Sequence, residues 1–215
     1  MTPSVQPYRP CVAYLKPLAK QHPNNPEIEP LTRTQILMAM GVTAIMLLVV
    51  SKLWLHFSSG SLLPIRWNPT ALVLGVSIGL GVTGASAIVY RLWPGYQRSA
   101  YLYQELLLKP LVWPDLIWLG LLPGLSEELL FRGLMLPAVG LNFTGVLVSS
   151  LCFGILHMID PENWAYVVWA TVVGMLLGFS AVYTGNLLVP IVAHIVTNLV
   201  SSCLWKLSVR NTGVT

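Results

Sequence analysis

Residues 111–139 read LVWPDLIWLGLLPGLSEELLFRGLMLPAV, and their reading decides the fold. The stretch is apolar enough to enter a bilayer, yet it carries Glu127, Glu128 and Arg132. An ionisable group at mid-bilayer depth costs roughly 2.5–3.5 kcal/mol on insertion scales. Such groups persist in a span only where they meet partners inside protein. The run is also longer than one straight crossing of about 30 Å requires, and Pro123-Gly124 interrupts it. A proline beside a glycine kinks or breaks a helix. The expectation is therefore a broken third span, with Ser126 capping a new helix whose first turn is acidic.

Further apolar stretches lie at 34–54, 70–90, 143–159, 164–183 and 186–205. The chain has 215 residues, 55% of them hydrophobic and 9% charged. Soluble domains carry about 25% charged residues, so the expected class is all-α: a polytopic membrane helix bundle of about six transmembrane helices. Three segments are expected. Residues 1–33 form a Pro-rich tail without the apolar core of a signal peptide. Residues 34–110 hold two helices and a loop, and residues 111–206 hold the polar groups. Gly75 and Gly79, and Gly174 and Gly178, stand four apart, as at close helix contacts in lipid.

Basic residues set the expected orientation. With six spans and the N-terminus in the cytoplasm, nine Lys and Arg side chains lie inside. Lys52 and Arg66 lie outside, and Arg132 falls within a span. That asymmetry fits the positive-inside rule and puts both termini in the cytoplasm. The net charge of +4 therefore reports topology, and no basic patch suggests nucleic acid. Trp54, Trp67, Trp93, Trp113, Trp164 and Trp205 fall near span ends, where interfacial anchors sit. Cys11, Cys152 and Cys203 show neither disulfide nor metal spacing.

Adjacent residues on a helix point about 100° apart, so Glu127 and Glu128 face different ways. Glu128 and Arg132 stand at i and i+4 with the acid on the N-terminal side, the favourable order for an ion pair. Glu127 has no such partner and is left to face a cavity. A carboxylate taken out of water becomes a better proton acceptor, which suits a general base. Phe153 and His157 share a face of the fourth span, and His194 and Asn198 share a face of the sixth. Glu127, His157 and His194 make a ligand set for zinc with an open position for water. They equally suit a metal-free site, in which Glu127 and one histidine activate water while the other histidine and Asn198 stabilise an oxyanion. The residues leave both open. The chain has no H-E-x-x-H, no G-x-S-G and no paired aspartates.

The three motifs, Glu127-Glu128-xxx-Arg132, Phe153-xxx-His157 and His194-xxx-Asn198, resemble in order those of the CPBP family, the CAAX proteases and bacteriocin-processing or immunity proteins. The resemblance spans about 111–205. It implies a multi-span intramembrane endopeptidase of Rce1-like type in which Glu127 is catalytic and His157 activates water or binds metal. His194 and Asn198 complete the site and Arg132 supports it. Family members are labelled metalloproteases, and a glutamate mechanism without metal has also been proposed for them. The implied substrate is a membrane-protein or lipidated-peptide segment in a bacterial cell membrane. A non-catalytic membrane scaffold retaining the polar site is the alternative, and a proton-coupled carrier is a third class.

Overall fold

Pro123 and Pro137 sit inside helical segments, and each leaves a backbone carbonyl that another part of the chain takes up. The structure, a computed structural model, describes residues 31–58 and 62–211. Thr32 caps α1 (Arg33–Phe57) through a reciprocal box with Gln35. Asn68 caps α2 (Pro69–Leu92), which has Pro69 in its first turn. Then come α3 (Pro94–Leu107), a 3-10 turn at Trp113–Asp115 and α4 (Leu116–Glu128). A π-helical stretch, Leu129–Met135, runs on into the short α5 (Leu136–Val139). Asn142 caps α6 (Phe143–Leu156), and a 3-10 turn at Pro161–Asn163 leads into α7 (Trp164–Thr184). Gly185, left-handed at φ 57°, ends α7 before α8 (Leu188–Asn211) begins.

The third span is interrupted, but not at Pro123-Gly124. Pro123 has no N–H for the Leu119 carbonyl, and the Asn198 amide of α8 reaches that oxygen at 3.5 Å. Ser126 does not cap a new helix; its hydroxyl donates back to Leu122 O at 2.8 Å. The irregularity comes six residues later, in the π stretch. There the Gly133 carbonyl, left without a donor by Pro137, accepts the Leu63 N–H at 2.9 Å. A proline inside a span is tolerated when such substitutes satisfy the backbone.

Among the described residues, four helices are long and apolar enough to cross a membrane: Arg33–Phe57, Pro69–Leu92, Pro161–Thr184 and Leu188–Arg210. The expected span at 143–159 is realised as the 14 residues of α6, about 21 Å at 1.5 Å per residue. Met38, Val42, Ile45 and Met46 of α1 and Leu80 and Ile88 of α2 face outward. Such apolar surface suits acyl chains as its solvent. The polytopic helical bundle is thus present, with α3 as an addition that sequence reading left as loop. Its Tyr96, Ser99 and Ala100 form a buried face packed on Ala165 of α7.

Helix α8 lies between α2, α4 and α7, while α6 packs on α7 and α1 on α4. The contact of α2 with α8 is close because Gly75 and Gly79 lack side chains. A Cβ on Gly79 would stand 2.7 Å from the Ala193 carbonyl oxygen and 2.8 Å from Val196 Cβ. Residues from Leu31 onward form one unit, so α1 and α2 belong to the same body as the polar groups. Most of the expected tail, and Cys11, lie outside the described residues. Trp205 departs from the interfacial expectation: it is buried among Leu108 and Leu116.

Candidate functional site

Glu128 ends α4, and the i, i+4 relation survives the start of the π stretch. Arg132 Nη1 donates to Glu128 Oε1 at 2.8 Å, with both side chains 0% exposed. Arg132 Nη2 donates to the Gly174 carbonyl of α7 at 2.9 Å. The guanidinium also stands 4.3 Å from the centre of the Phe153 ring, a cation–π distance. Gly174 makes this possible, because a Cβ there would sit 3.0 Å from Nη2. A buried charge is held only when paired and hydrogen-bonded, and Arg132 ties the third span to α6 and α7 in that way.

His194 of α8 meets the same acid. Its Nδ1 lies 2.8 Å from Glu128 Oε1. A carboxylate accepts, so Nδ1 carries the proton and Nε2 is left for other work. The second histidine follows the same rule with a different acceptor. His157 stands just past the end of α6, and its Nδ1 donates to the Phe153 carbonyl at 2.8 Å. Its Nε2, which holds a lone pair in the neutral ring, faces Glu127 Oε2 across 3.8 Å. That gap exceeds a direct hydrogen bond and leaves space for a bridging atom. Glu127 itself is 8% exposed, and its Oε2 is buried without a hydrogen-bond partner. The Phe153 ring lies 4.7 Å from His157 and 5.7 Å from His194, centre to centre, holding both imidazoles.

The structure therefore brings the expected residues together as a pair and a trio. Glu127 goes with His157, and Glu128 goes with both Arg132 and His194. The three donors expected for zinc do not assemble. Among the described residues, no three His, Cys, Asp or Glu side chains are gathered to hold a metal ion. Their chemistry suits zinc, with each imidazole fixed through Nδ1 by an outer partner. Their placement does not fit: Glu127 is set against His157 and His194 against Glu128, and the three are not gathered around one point.

A cavity of about 660 Å³ opens beside these groups, lined by His157, His194, Asn198, Tyr103, Tyr166 and Phe153 among others. That volume is in the range of small-molecule and peptide sites. Tyr166 stacks on Tyr103 at 4.5 Å and stands 6.3 Å from the His157 ring. The Tyr103 phenol is pushed up to about 12, first by burial and then by the Glu127 charge.

Sequence reasoning missed Gly174, Tyr103, Tyr166 and Ser150. Gly174 was read as a packing glycine only. Tyr103 sits seven residues after Tyr96, a helical spacing after Pro94 that signals α3 in the sequence. Ser150 is fully buried with no partner for its Oγ, as are Arg132 Nε and Glu128 Oε2.

Comparison with known proteins agrees with the motifs. The family model described as type II CAAX prenyl endopeptidase Rce1-like matches residues 109–200. The chain is similar to the uncharacterised protein YpbD of Bacillus subtilis (strain 168), with 32% identity over 129 residues. The aligned part is 60% of this chain and spans 66% of that relative's length. No solved structure matches. Over residues 109–200 the chain is similar to the Rce1-like family.

Proposed function

We propose that this Rce1-like chain is an intramembrane endopeptidase that hydrolyses a peptide bond of a membrane-associated protein or peptide. One observation carries the reading: the unpartnered Oε2 of buried Glu127 lies 3.8 Å from a lone-pair nitrogen of His157. A water between two acceptors donates one proton to each, which points its oxygen lone pairs away from both. Glu127 takes one of the two protons as the oxygen attacks the scissile carbonyl carbon. The resulting oxyanion needs donors. Asn198 is held loosely on Leu119 O at 3.5 Å and keeps a second N–H for that oxygen. His194 donates through Nε2 when its ring is an imidazolium, with Glu128 as the adjacent counter-charge. Collapse of the intermediate breaks the C–N bond, and Glu127 returns its proton to the leaving amine. The products are a carboxylic acid, which keeps the second water proton until it passes it to His157 or to water, and an amine.

No step is routed through zinc: Glu127, His157 and His194 suit it by chemistry but, among the described residues, are not gathered to hold it. The proton transfers above draw on the chain's own groups. The protein is an integral membrane protein with at least four helices able to span. We place it in a bacterial cell membrane with both termini cytoplasmic, as the basic-residue asymmetry suggests. Its partners would be the bilayer and a lipidated or membrane-embedded peptide.

The deciding experiment incubates the purified protein with membrane-peptide substrates. Cleavage by wild type that disappears in Glu127→Gln, with the variant still folded, supports the reading. Equal cleavage by both refutes it. A scaffold would instead bind partners without turnover, and its cellular phenotype would survive Glu127→Gln.

A further inference from the structure

Hydroxyl donors lining the cavity are mostly spent on the helices that carry them. Thr83 donates to Gly79 O at 2.9 Å, Thr197 to Ala193 O at 2.8 Å and Ser202 to Asn198 O at 2.5 Å. Trp169 gives its indole N–H to Ser86 at 3.0 Å. The phenols of Tyr103 and Tyr166 differ: among the described residues neither hydroxyl makes a hydrogen bond within the chain. Their ring faces are occupied, however. Tyr166 has Tyr103 stacked at 4.5 Å with 10° between planes, and Tyr96 at 6.1 Å with 13°. A guest in the cavity therefore finds the edge and hydroxyl of Tyr166, not its face. Both residues line the same cavity as His157.

A peptide bond inside a transmembrane helix is shielded, so the segment must unwind before water can attack. Unwinding strands backbone carbonyls where no bulk water can serve them, which is costly unless a donor replaces the lost bond. We propose that the Tyr103 and Tyr166 hydroxyls are substrate-binding donors that take up backbone carbonyls of an unwound membrane segment beside the Glu127–His157 pair. This inference rests on the endopeptidase reading and names its substrate class: a helical membrane segment with a breakable backbone. Burial and the Glu127 charge keep the Tyr103 phenol protonated, hence a donor.

The test uses two fluorescent 20-residue Leu/Ala peptides in nanodiscs with the full-length protein, one with a central Gly-Pro pair and one without. Binding is measured on the Glu127→Gln background so that turnover does not interfere. Tyr103→Phe and Tyr166→Phe keep the stack and remove only the hydroxyls, and thermal unfolding of each verifies this. The expected result is preferential binding of the Gly-Pro peptide. Each single change weakens it roughly five- to tenfold, and the double change abolishes the preference while binding of the unbroken helix stays constant. Equal binding of the Gly-Pro peptide with and without the hydroxyls, or no preference for it in the parent protein, overturns the proposal. If wild type cleaves the Gly-Pro peptide, the same changes raise KM with little effect on kcat. Failure of the catalytic reading shows separately, as unchanged cleavage in Glu127→Gln.

Discussion

Nδ1 of His194 stands 2.8 Å from Oε1 of Glu128, the same oxygen that accepts Arg132. One carboxylate thus links a buried cation to an imidazole on a helix 66 positions away. Glu128→Gln keeps an acceptor at this place and removes its charge. The expected outcome is a kcat lower by roughly 10- to 100-fold, or about 1.4–2.7 kcal/mol of barrier. A peptide-cleavage assay checks it, and wild-type turnover would reduce Glu128 to a structural partner of Arg132.

Loss of Arg132 should act on stability first. Arg132→Ala leaves Glu128 buried without its cation and frees the Gly174 carbonyl. Removing one partner of a buried pair costs about 3–5 kcal/mol, read as a lower thermal midpoint in detergent. Arg132→Lys should recover little, because an ammonium lacks the fork that spans Glu128 Oε1 and Gly174 O.

Gly174→Ala should be costly as well. Its Cβ would meet Arg132 Nη2 at 3.0 Å and both Phe153 Cδ1 and Ser150 Cβ at 3.2 Å. Overpacking of this kind costs about 1–3 kcal/mol. Gly81→Ala is the control: a Cβ there meets nothing within 4 Å. Equal midpoints for the two variants would show that the Arg132 niche has room to spare.

Cleavage should survive exhaustive chelation. The expectation rests on donor placement: among the described residues Glu127, His157 and His194 are not gathered to hold a metal ion. Activity is followed with and without chelator beside elemental analysis of the purified protein. Stoichiometric zinc, with activity lost on chelation and restored by zinc, would require the three donors to regroup.

Acid should loosen the clasp between α1 and the start of α4. Arg33 Nε and Nη2 grip Asp115 Oδ2 and Oδ1 at 2.7 and 2.8 Å. The Arg33 hydrogen bond, with the Val112 N–H after it, holds the Asp115 carboxyl down at about 2. An unfolded aspartate titrates near 3.9. The carboxyl is lowered in the fold, so its contribution is complete above about pH 4 and fades as pH falls towards 2. Asp115→Asn should lack that part of the acid slope in thermal midpoints taken from pH 5 to pH 2. Superimposable wild-type and variant slopes would contradict the assignment.

Much of the site was legible because its logic is local. The Glu128–Arg132 pair follows from helical spacing, and Phe153 lies one turn before His157 for the same reason. The expected break at Pro123 was not local: whether a proline breaks a helix depends on who serves the freed carbonyl. Here the donor is Asn198, 79 positions away. The Tyr103–Tyr166 stack was hidden similarly, since it joins α3 and α7.

The order of residues alone determined a membrane-embedded helical bundle and the side chains that carry its chemistry. Apolar run length and the cost of intramembrane charge act along a single stretch of chain. Only the tertiary structure decided which carboxylate each imidazole meets. About 100° per residue fixes directions within a helix, but the rotation of α8 against α4 comes from packing. Gly124 of α4, where a Cβ would stand 2.5 Å from Ile195 Cγ1 of α8, marks that close packing. The rotation turns His194 towards Glu128.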